Sequence, residues 1–415
     1  MRELIVDLHV HSYYSRATSR NCTLEGLYAG AKIKGITVLG TGDIVHPSWL
    51  RECYEKLEYC DNGLLRLKPE VAQPIDAGLP PSVRDNEVWF VPTVEIATVY
   101  KKGDKTRKLH QLLVFSSLES AGAMQHALNS IGNLRADGRP ILGLDSKRLL
   151  QHMLTVDPRG LYIPAHIWTP WFGLFGSKSG FDSLEEAYEE LAPHIRAIET
   201  GLSSDPAMNA QISQLTGLSI TSHSDAHSPQ KLGREATVVH TACTYEDIMG
   251  ALKTNDERLA GTIEFFPEEG KYFADGHRKC GTCFTPQQTK AHGGICPVCG
   301  KPVVVGVNYR VDELADLADS VAPKRTEYII PLPEVIAEIM QVKSVAGKRV
   351  VAEYNRIIAA LGDEFSILRT TPLANIKAVS PDLATAVERI RTGQVVRTPG
   401  FDGVYGTISV LGEPM

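Results

Sequence analysis

The fold class is decided by an apolar run that ends in two histidines, residues 4–12, which read LIVDLHVHS. The apolar residues at its start predict a buried strand over residues 4–8. In an extended chain His9 and His11 lie on the same side, about 6.5 Å apart along the backbone, which suits two contacts to metal. A lone histidine is more often a core or surface residue than a ligand. A metal site therefore requires further ligands from the rest of the chain.

Short apolar runs alternate with stretches of helical period from residue 4 to about residue 266. This alternation is typical of repeated βα units around parallel strands. We therefore predict an α/β domain over residues 1–266, closed into a barrel, in a chain whose 415 residues exceed the usual size of one core. The Pro- and Gly-rich segment 63–86 is predicted to be a long surface loop or excursion. Strands are predicted over residues 4–8, 36–39, 88–97, 109–115, 161–167, 195–199, 218–222 and 237–240, and helices over 24–34, 48–61, 118–131, 147–154, 183–191, 206–216 and 245–253.

Side chains that bind metals lie in or directly after nearly every predicted strand. Because the carboxyl ends of parallel barrel strands meet at one mouth, we expect these side chains to lie together. They exceed what one ion uses, which predicts two or three divalent metals, Zn, Mn, Mg or Fe, with Glu95 or Asp43 bridging ions. Without cations, so many close carboxylates would be destabilising. The predicted ligands are His9, His11, Asp43, Glu95, His110, His166, Asp225 and His227, of which Asp43, Glu95, Asp225 and His227 are also the candidate catalytic residues.

Four of the eight cysteines form two CxxC pairs that are separated by twelve residues. Such spacing is typical of one structural Zn²⁺ in a small ribbon, which we predict over residues 267–310. His277 and His292 lie beside the pairs and are interpreted as bystanders. Residues 311–415 show helical periodicity with breaks at glycine and proline, which predicts a mainly helical C-terminal domain. The predicted zinc ligands are Cys280, Cys283, Cys296 and Cys299.

The net charge of −6 is distributed unevenly along the chain. Residues 271–310 contain six Lys and Arg residues and one carboxylate, Asp275, so this stretch carries +5 and the remainder −11. A basic ribbon can contact a phosphate backbone, although some zinc ribbons only brace neighbouring domains. The sequence contains no apolar run near the roughly 18 residues of a membrane span and no visible targeting segment. Too few cysteines are present for a disulfide scaffold, so we expect a cytoplasmic protein.

Six motifs occur in order along about the first 265 residues: Asp7-Leu8-His9-Val10-His11-Ser12, Gly40-Thr41-Gly42-Asp43, Glu95, His110, His166 and Ser222-His223-Ser224-Asp225-Ala226-His227. In order, spacing and residue type they resemble the motifs of the polymerase and histidinol phosphatase (PHP) superfamily. The resemblance implies a distorted seven-stranded βα barrel, a trinuclear metal centre and phosphoester hydrolysis. The chain departs from the superfamily at Arg16, where many relatives have Asp or His, and at Asp43, which replaces the usual histidine.

Further segments extend the likeness to the whole chain: His46-Pro47, AHIWTPW at 165–171, SDAHSP at 224–229 and CPVCG at 296–300. Together with the cysteine pairs and the helical C-terminal region, they resemble the endonuclease Q family. This resemblance implies a DNA repair nuclease that cuts 5′ of deoxyuridine, deoxyinosine and abasic sites. The phosphodiester would be hydrolysed by a metal-activated hydroxide.

These observations lead to the hypothesis of a metal-dependent DNA endonuclease that acts on damaged DNA. Arg16 and Arg234 are candidate phosphate contacts, and Trp168 and Trp171, with Phe172 in the same loop, could stack on an extruded base. A histidinol-phosphate-like small-molecule phosphatase is an alternative that leaves the ribbon without a role. A non-catalytic DNA-binding protein is another, which leaves the metal ligands without a role. The sequence does not indicate whether a sliding clamp or helicase is a partner.

Overall fold

The computed structural model describes residues 1–317 and 324–412 of the chain. Every predicted strand overlaps an observed one, and the predicted strand 88–97 is divided in two at Pro92, which has no N–H to donate to a sheet. The strands are β1 (Arg2–Asp7), β2 (Val38–Gly40), β3 (Leu57–Tyr59), β4 (Leu65–Leu67), β5 (Trp89–Val91), β6 (Thr93–Lys102), β7 (Lys105–Val114), β8 (Ile141–Leu142), β9 (Leu161–Pro164), β10 (Ala197–Glu199), β11 (Ser219–Thr221), β12 (Ala236–Thr241), β13 (Leu259–Glu264), β14 (Asp275–His277), β15 (Thr282–Phe284), β16 (Arg325–Tyr328), β17 (Val396–Thr398) and β18 (Thr407–Ser409).

Several helices begin after a side chain that accepts a hydrogen bond from the backbone of the first turn, such as Thr23, Ser117 and Thr244. Helix 24–34 is confirmed to the residue: the Thr23 side chain accepts a hydrogen bond from the Gly26 N–H, and Gly35 ends the helix at φ 85°. In the predicted helix 206–216, by contrast, only the first four residues are α-helical. None of the described helices is long and apolar enough to cross a membrane. The helices are α1 (Leu24–Lys34), α2 (Pro47–Lys56), α3 (Pro69–Gly78), α4 (Pro81–Arg84), α5 (Leu118–Leu128), α6 (Ser146–Val156), α7 (Leu184–Tyr188), α8 (Pro206–Asn209), α9 (Tyr245–Thr254), α10 (Pro286–Ala291), α11 (Val307–Leu314), α12 (Leu332–Ile339), α13 (Lys348–Leu361), α14 (Glu364–Arg369), α15 (Leu373–Val379) and α16 (Pro381–Arg391).

The strands of the first 266 residues, together with β16, are grouped by hydrogen bonds into three sheets. One has the order β16-β13-β12-β1-β2-β5-β4-β3, a second β8-β6-β7-β9, and a third β10-β11. Single backbone hydrogen bonds connect the edges of these sheets, such as Phe115 N to Pro92 O (2.9 Å) and Ile167 N to Glu199 O (3.1 Å). The result is a mixed α/β fold, and a single closed barrel of seven strands remains a prediction.

The segment 63–86 differs from its prediction as a surface loop. It contains β4 and the helices α3 and α4, each helix starting with a proline in its first turn. Proline is favoured there because its missing N–H would have no partner in the first turn. Pro69 and Pro81 therefore mark helix starts rather than a loop, while Pro74 lies inside α3.

The C-terminal residues pack directly on the first unit. β16 pairs in parallel with β13 and so extends the largest sheet. Lys34 of α1 and Glu364 of α14 form a buried ion pair of 2.6 Å, and the Tyr354 hydroxyl donates to the same carboxylate (2.7 Å). The predicted mainly helical region contains α11 to α16, while α11 crosses the predicted boundary at residue 310.

Candidate metal centre and cysteine site

A first group of metal-binding side chains lies where β1, β6 and the loop after β11 meet. His11 Nε2 is 3.0 Å from Asp225 Oδ1 and 3.4 Å from Glu95 Oε2. His9 Nε2 is 3.6 Å from the same oxygen of Glu95. One ligand atom from each of these four residues lies within 4.8 Å of the others. The spacing is that of donors around one cation.

A second group shares Glu95 with the first. The other oxygen of this carboxylate, Oε1, is 3.1 Å from His166 Nε2 and also contacts His110 Nδ1. The two imidazole nitrogens are 3.1 Å apart. Glu95 therefore presents one oxygen to each group, which is the arrangement of a carboxylate that bridges two ions. That Glu95 bridges two ions stays a prediction.

The pKas of the histidines and of Glu95 in these two groups depend on burial and on the charges of their neighbours. Burial alone would raise the pKa of the Glu95 carboxyl, but His110 and His9 hold this pKa well below its usual range. Burial lowers the pKas of His9 and His11, yet the facing carboxylates raise them to well above the usual value. Burial lowers the pKa of His110 to about 4. Positive charge on His9 and His11 thus balances carboxylates that a bound cation would otherwise neutralise.

Glu199 holds the first group in place and was missed by the sequence analysis. Both of its oxygens lie 3.0 Å from His9 Nδ1, one is 3.1 Å from His223 Nδ1, and the other accepts from the His166 N–H at 2.9 Å. A carboxylate on Nδ1 fixes the histidine tautomer and leaves Nε2 for a metal. The available signal was position, because Glu199 ends a predicted strand as the proposed ligands do.

Asp43 and His227 lie outside both groups, although they were predicted as ligands. Asp43 Oδ1 is 3.1 Å from His11 Nδ1, and its Oδ2 accepts from the Ser12 N–H (2.8 Å) and the Ser15 hydroxyl (2.9 Å). Asp43 therefore orients the His11 ring through its Nδ1 atom, on the side away from Asp225 and Glu95. The centroid of the His227 ring lies 4.4 Å from that of His11, with the two planes tilted by 47°, and His227 remains partly exposed.

Three residues of the site have left-handed backbone conformations that L side chains rarely adopt. The φ angles are 50° for Asp43, 30° for His166 and 46° for Asp225. Such conformations cost of order 1–3 kcal/mol each and persist where the surroundings fix them. At position 201 a side chain would lie 2.4 Å from His166 Cβ, so glycine is required there. The fold therefore stores local strain to aim these side chains.

Arg139 is a second residue that the sequence analysis missed. Its guanidinium Nη1 lies 3.2 Å from Glu95 Oε2, the oxygen that faces the first group. The loop that carries Arg139 lies close to Asp43 because residue 138 is glycine. A Cβ at position 138 would lie 2.2 Å from Asp43 Oδ2. The local sequence Asp137-Gly138-Arg139-Pro140 indicates a turn but contains no signal for a site.

The predicted substrate-binding residues divide into exposed and structural ones. Arg16 is exposed and pairs with Asp137 (3.3 Å), and Trp171 is 45% exposed. Arg234 instead donates to the Ser224 carbonyl (2.8 Å), which fixes the backbone before Asp225. Trp168 is a wrong prediction as a surface contact. It is 1% exposed, and its indole N–H donates to Asn209 (2.8 Å).

The cysteine site has a different fourth member from the predicted one. His277, Cys280, Cys296 and Cys299 form the group of close ligand atoms, and Cys283 is not part of it. β14 and β15 pair His277 with Thr282, and the Thr282 hydroxyl lies 3.2 Å from Cys296 Sγ. Side chains alternate along a strand, so Cys283 points to the opposite face from Thr282. His277, interpreted as a bystander, takes its place.

The thiols of this cluster differ in acidity. The hydrogen bond with Thr282 lowers the pKa of Cys296 to about 6, with help from the backbone N–H groups of Cys299 and Val298. Burial, together with the neighbouring thiols of Cys299 and Cys296, raises the pKa of Cys280 to about 11. Thiolate is the form that binds zinc. The set of one imidazole and three thiols suits a structural Zn²⁺ of the ribbon type.

Part of the predicted +5 charge of residues 271–310 is neutralised within the protein. Lys290 pairs with Asp312, and the largely buried Arg310 pairs with Asp182 and Glu313. Arg310 also donates to the Phe175 carbonyl (3.1 Å), so it docks α11 on the first unit. Lys271, Arg278, Lys279 and Lys301 have no ion-pair partner among the described residues and remain available to an anionic ligand.

The chain resembles uncharacterized proteins of an archaeon and a bacterium in sequence. Residues 331–394 match the family model of the MJ0043 C-terminal domain. The uncharacterized protein MJ0043 of Methanocaldococcus jannaschii is 31% identical over 255 residues, which cover 58% of this chain and 31% of that protein. The uncharacterized protein YqxK of Bacillus subtilis is 27% identical over 428 residues, with 98% and 100% of the two chains covered.

Two solved structures match the fold over the whole chain. The lesion-specific endonuclease PfuEndoQ from Pyrococcus furiosus has a TM-score of 0.84 and 28% identity, covering 100% of this chain and 98% of that one. Endonuclease Q in complex with a 27-mer duplex carrying an abasic lesion has a TM-score of 0.83 and 28% identity, covering 100% and 99%. The fold and sites define a mixed α/β protein with a histidine–carboxylate centre and a zinc-ribbon-like cluster. The chain is a relative of endonuclease Q across its full length.

Proposed function

We propose that the protein is a metal-dependent endonuclease that cuts DNA at damaged sites. The observation that carries the proposal is the full-length similarity to a lesion-specific endonuclease, with a TM-score of 0.84 and 28% identity. Another endonuclease Q structure holds a duplex whose abasic lesion lies at the active site. The histidine–carboxylate groups of this chain supply the donor types that phosphodiester hydrolysis needs.

Divalent metals fit both groups. The buried Nε2 of His9 has no hydrogen-bond partner in the described part of the chain, while Glu199 already occupies Nδ1. Metals bound there would supply an activated water and neutralise the charge that develops on the phosphodiester. One ion would be held by His9, His11, Glu95 and Asp225, and a second by Glu95, His110 and His166.

The remaining residues of the site orient these ligands and the substrate. Asp43 and Glu199 fix the rings of His11 and His9 through their Nδ1 atoms. Arg139, which contacts Glu95, is positioned to bind a phosphate oxygen of the scissile bond, because a guanidinium matches the geometry of two such oxygens. His227 lies partly exposed beside His11 and would contact the same phosphate from the open side.

The proposal includes the finer predictions from the sequence. The substrates would be DNA with deoxyuridine, deoxyinosine or an abasic site, cut on the 5′ side by a PHP-type barrel in the cytoplasm. Extruding a mispaired or missing base costs less free energy than extruding a paired one, which favours damaged sites without reading the sequence. A structural zinc in the cysteine cluster would hold the ribbon beside the DNA.

The test is cleavage of labelled duplexes that carry uracil, hypoxanthine, an abasic site or no lesion, with Mg²⁺, Mn²⁺ or Zn²⁺. Asp225→Ala should abolish cleavage, because it removes a ligand of the first group. Asp157→Asn is the matched control, since among the described residues the hydrogen bonds of the Asp157 carboxylate come only from serine hydroxyls and backbone N–H groups. Hydrolysis of histidinol phosphate without DNA cleavage would favour the phosphatase alternative, and DNA binding without any hydrolysis would favour the non-catalytic one.

A further inference from the structure

An exposed aromatic surface begins beside the second group of the metal centre. The Phe172 ring lies 4.5 Å from that of His110, and its carbonyl accepts from the His110 N–H at 2.8 Å. Phe172 has a φ of 68°, so the loop turns sharply at this point. The preceding residue, Trp171, is 45% exposed. A metal ligand is therefore connected through one residue to an indole ring on the surface.

Two other parts of the chain continue this surface. Tyr272, between the first unit and the ribbon, meets Trp171 edge-on at 5.8 Å between ring centroids. Lys271 Nζ lies 5.6 Å from the ring centroid of Tyr272 and 5.8 Å from that of Tyr405. Tyr405, in the C-terminal hairpin, is 71% exposed. We call Trp171, Tyr272 and Tyr405 the aromatic track.

The hairpin that carries Tyr405 is held in place by backbone hydrogen bonds to residues 268 and 269. Gly400 N donates to the Glu268 carbonyl (2.8 Å), and Gly406 N donates to the Glu269 carbonyl (3.0 Å). A Cβ at position 406 would lie 2.1 Å from the Glu268 carbonyl oxygen, so glycine permits this contact. The fold thus holds an exposed tyrosine in a fixed place, although exposing a large aromatic ring gives up hydrophobic stabilisation.

Lysines without ion-pair partners lie along the same surface. Lys108 Nζ is 5.7 Å from the Phe172 ring centroid, and the Lys178 backbone N–H donates to the Pro170 carbonyl (3.0 Å). Within residues 1–317 and 324–412, no carboxylate lies within 4.0 Å of the ammonium groups of Lys108, Lys178 or Lys271. Aromatic faces beside uncompensated positive charge are the features that bind unpaired nucleic acid, because bases stack on the rings and phosphates meet the lysines.

We propose that the aromatic track is a stacking platform for unpaired nucleotides of the DNA strand next to the metal centre. This proposal rests on the proposed function, because it takes DNA as the substrate. The first unit, the ribbon junction and the C-terminal hairpin each contribute one ring. The platform therefore explains why the nuclease unit is joined to two others, and it gives the C-terminal hairpin a role in binding.

The first test uses the fluorescence of the full-length protein during titration with a single-stranded oligothymidylate. Of the four tryptophans, Trp49 and Trp168 are buried and Trp89 is half-buried, whereas Trp171 is 45% exposed. Stacking of a base on Trp171 should quench the emission, and Trp171→Phe should remove most of this quench. A wild-type protein that binds the oligonucleotide without quenching would overturn the proposal.

The second test measures affinity for the same oligonucleotide. Tyr405→Ala should weaken binding roughly tenfold, the typical loss for one stacked base, whereas Tyr405→Phe keeps the ring and should retain the affinity. Tyr54→Ala is the matched control, because Tyr54 is 44% exposed on α2 and outside the track. Equal affinity of wild type and Tyr405→Ala, in a protein that still cuts abasic duplex, would overturn the platform and leave the proposed function intact. A wild type that cuts no duplex would instead contradict the proposed function.

Discussion

Replacing Glu199 with glutamine tests whether a carboxylate outside the metal groups controls metal binding. The substitution keeps the shape of the side chain but removes its charge and one of its two acceptor oxygens. In the wild type both oxygens are used, since each lies 3.0 Å from His9 Nδ1 and they also meet His223 (3.1 Å) and the His166 N–H (2.9 Å). The amide N–H₂ would face one of these donors, so His9 would lose its fixed tautomer.

The expected loss is a 10- to 100-fold weaker affinity of the first group for a divalent metal, as for other carboxylates that support a metal-binding histidine. This corresponds to about 1.4 to 2.8 kcal/mol of binding free energy. The pKa of Glu199, which burial would raise, is lowered to about 2 by His9 and His223, so the carboxylate is charged at neutral pH. Its charge is therefore present under assay conditions.

The assay is calorimetric titration of chelator-treated protein with Mn²⁺. Asp157→Asn serves as the control, because it changes a buried carboxylate that, in the part of the chain the structure describes, is hydrogen-bonded to serine and backbone groups and to no histidine. Circular dichroism should show both variants folded. A Glu199→Gln protein that is folded and binds Mn²⁺ as tightly as the wild type would refute the argument that Glu199 orients His9.

Three further predictions concern other parts of the molecule. Elemental analysis should find one zinc lost in His277→Asn but retained in Cys283→Ser, because Cys283 lies outside the cluster; the reverse would restore the four-cysteine site. Burial raises the pKa of Glu264 to about 8, so its contribution to stability is present below about pH 4.5 and is lost as pH rises to about 8. Urea unfolding of Glu264→Gln should therefore show less loss of stability between pH 5 and pH 8.5. Lys34→Met should lower the free energy of unfolding in urea by about 3 to 5 kcal/mol, because the buried Glu364 would lose its ion-pair partner. An unchanged urea midpoint would argue against a stabilising role of the pair.

Hydrophobic periodicity and the order of polar residues made much of the fold and site predictable. The strand before His9 and His11 and the helix 24–34 follow from local pattern. Glu95 meets Asp225 as predicted, but Glu95 lies near the start of β6, which pairs antiparallel with β7, so the convergence of parallel strand ends does not by itself explain this contact. The prediction of one helix over residues 206–216 was wrong. Only Pro206–Asn209 is α-helical, and a separate 3₁₀ turn spans Ser213–Leu215. The prediction of a loop over residues 63–86 was wrong because proline is common both in loops and in the first turn of helices, and the sequence alone does not separate the two.

The sequence by itself determined which chemistry the chain contains, since residue types, their order and their spacing do not depend on the fold. Only the tertiary structure decided which of these residues lie close enough to act together. Asp43 turns from a predicted ligand into a support for His11 because serine hydroxyls and a backbone N–H surround it. His277 replaces Cys283 because the pairing of two short strands decides which side chains share a face. Distances between side chains from distant parts of the chain depend on packing, and packing is a property of the whole fold.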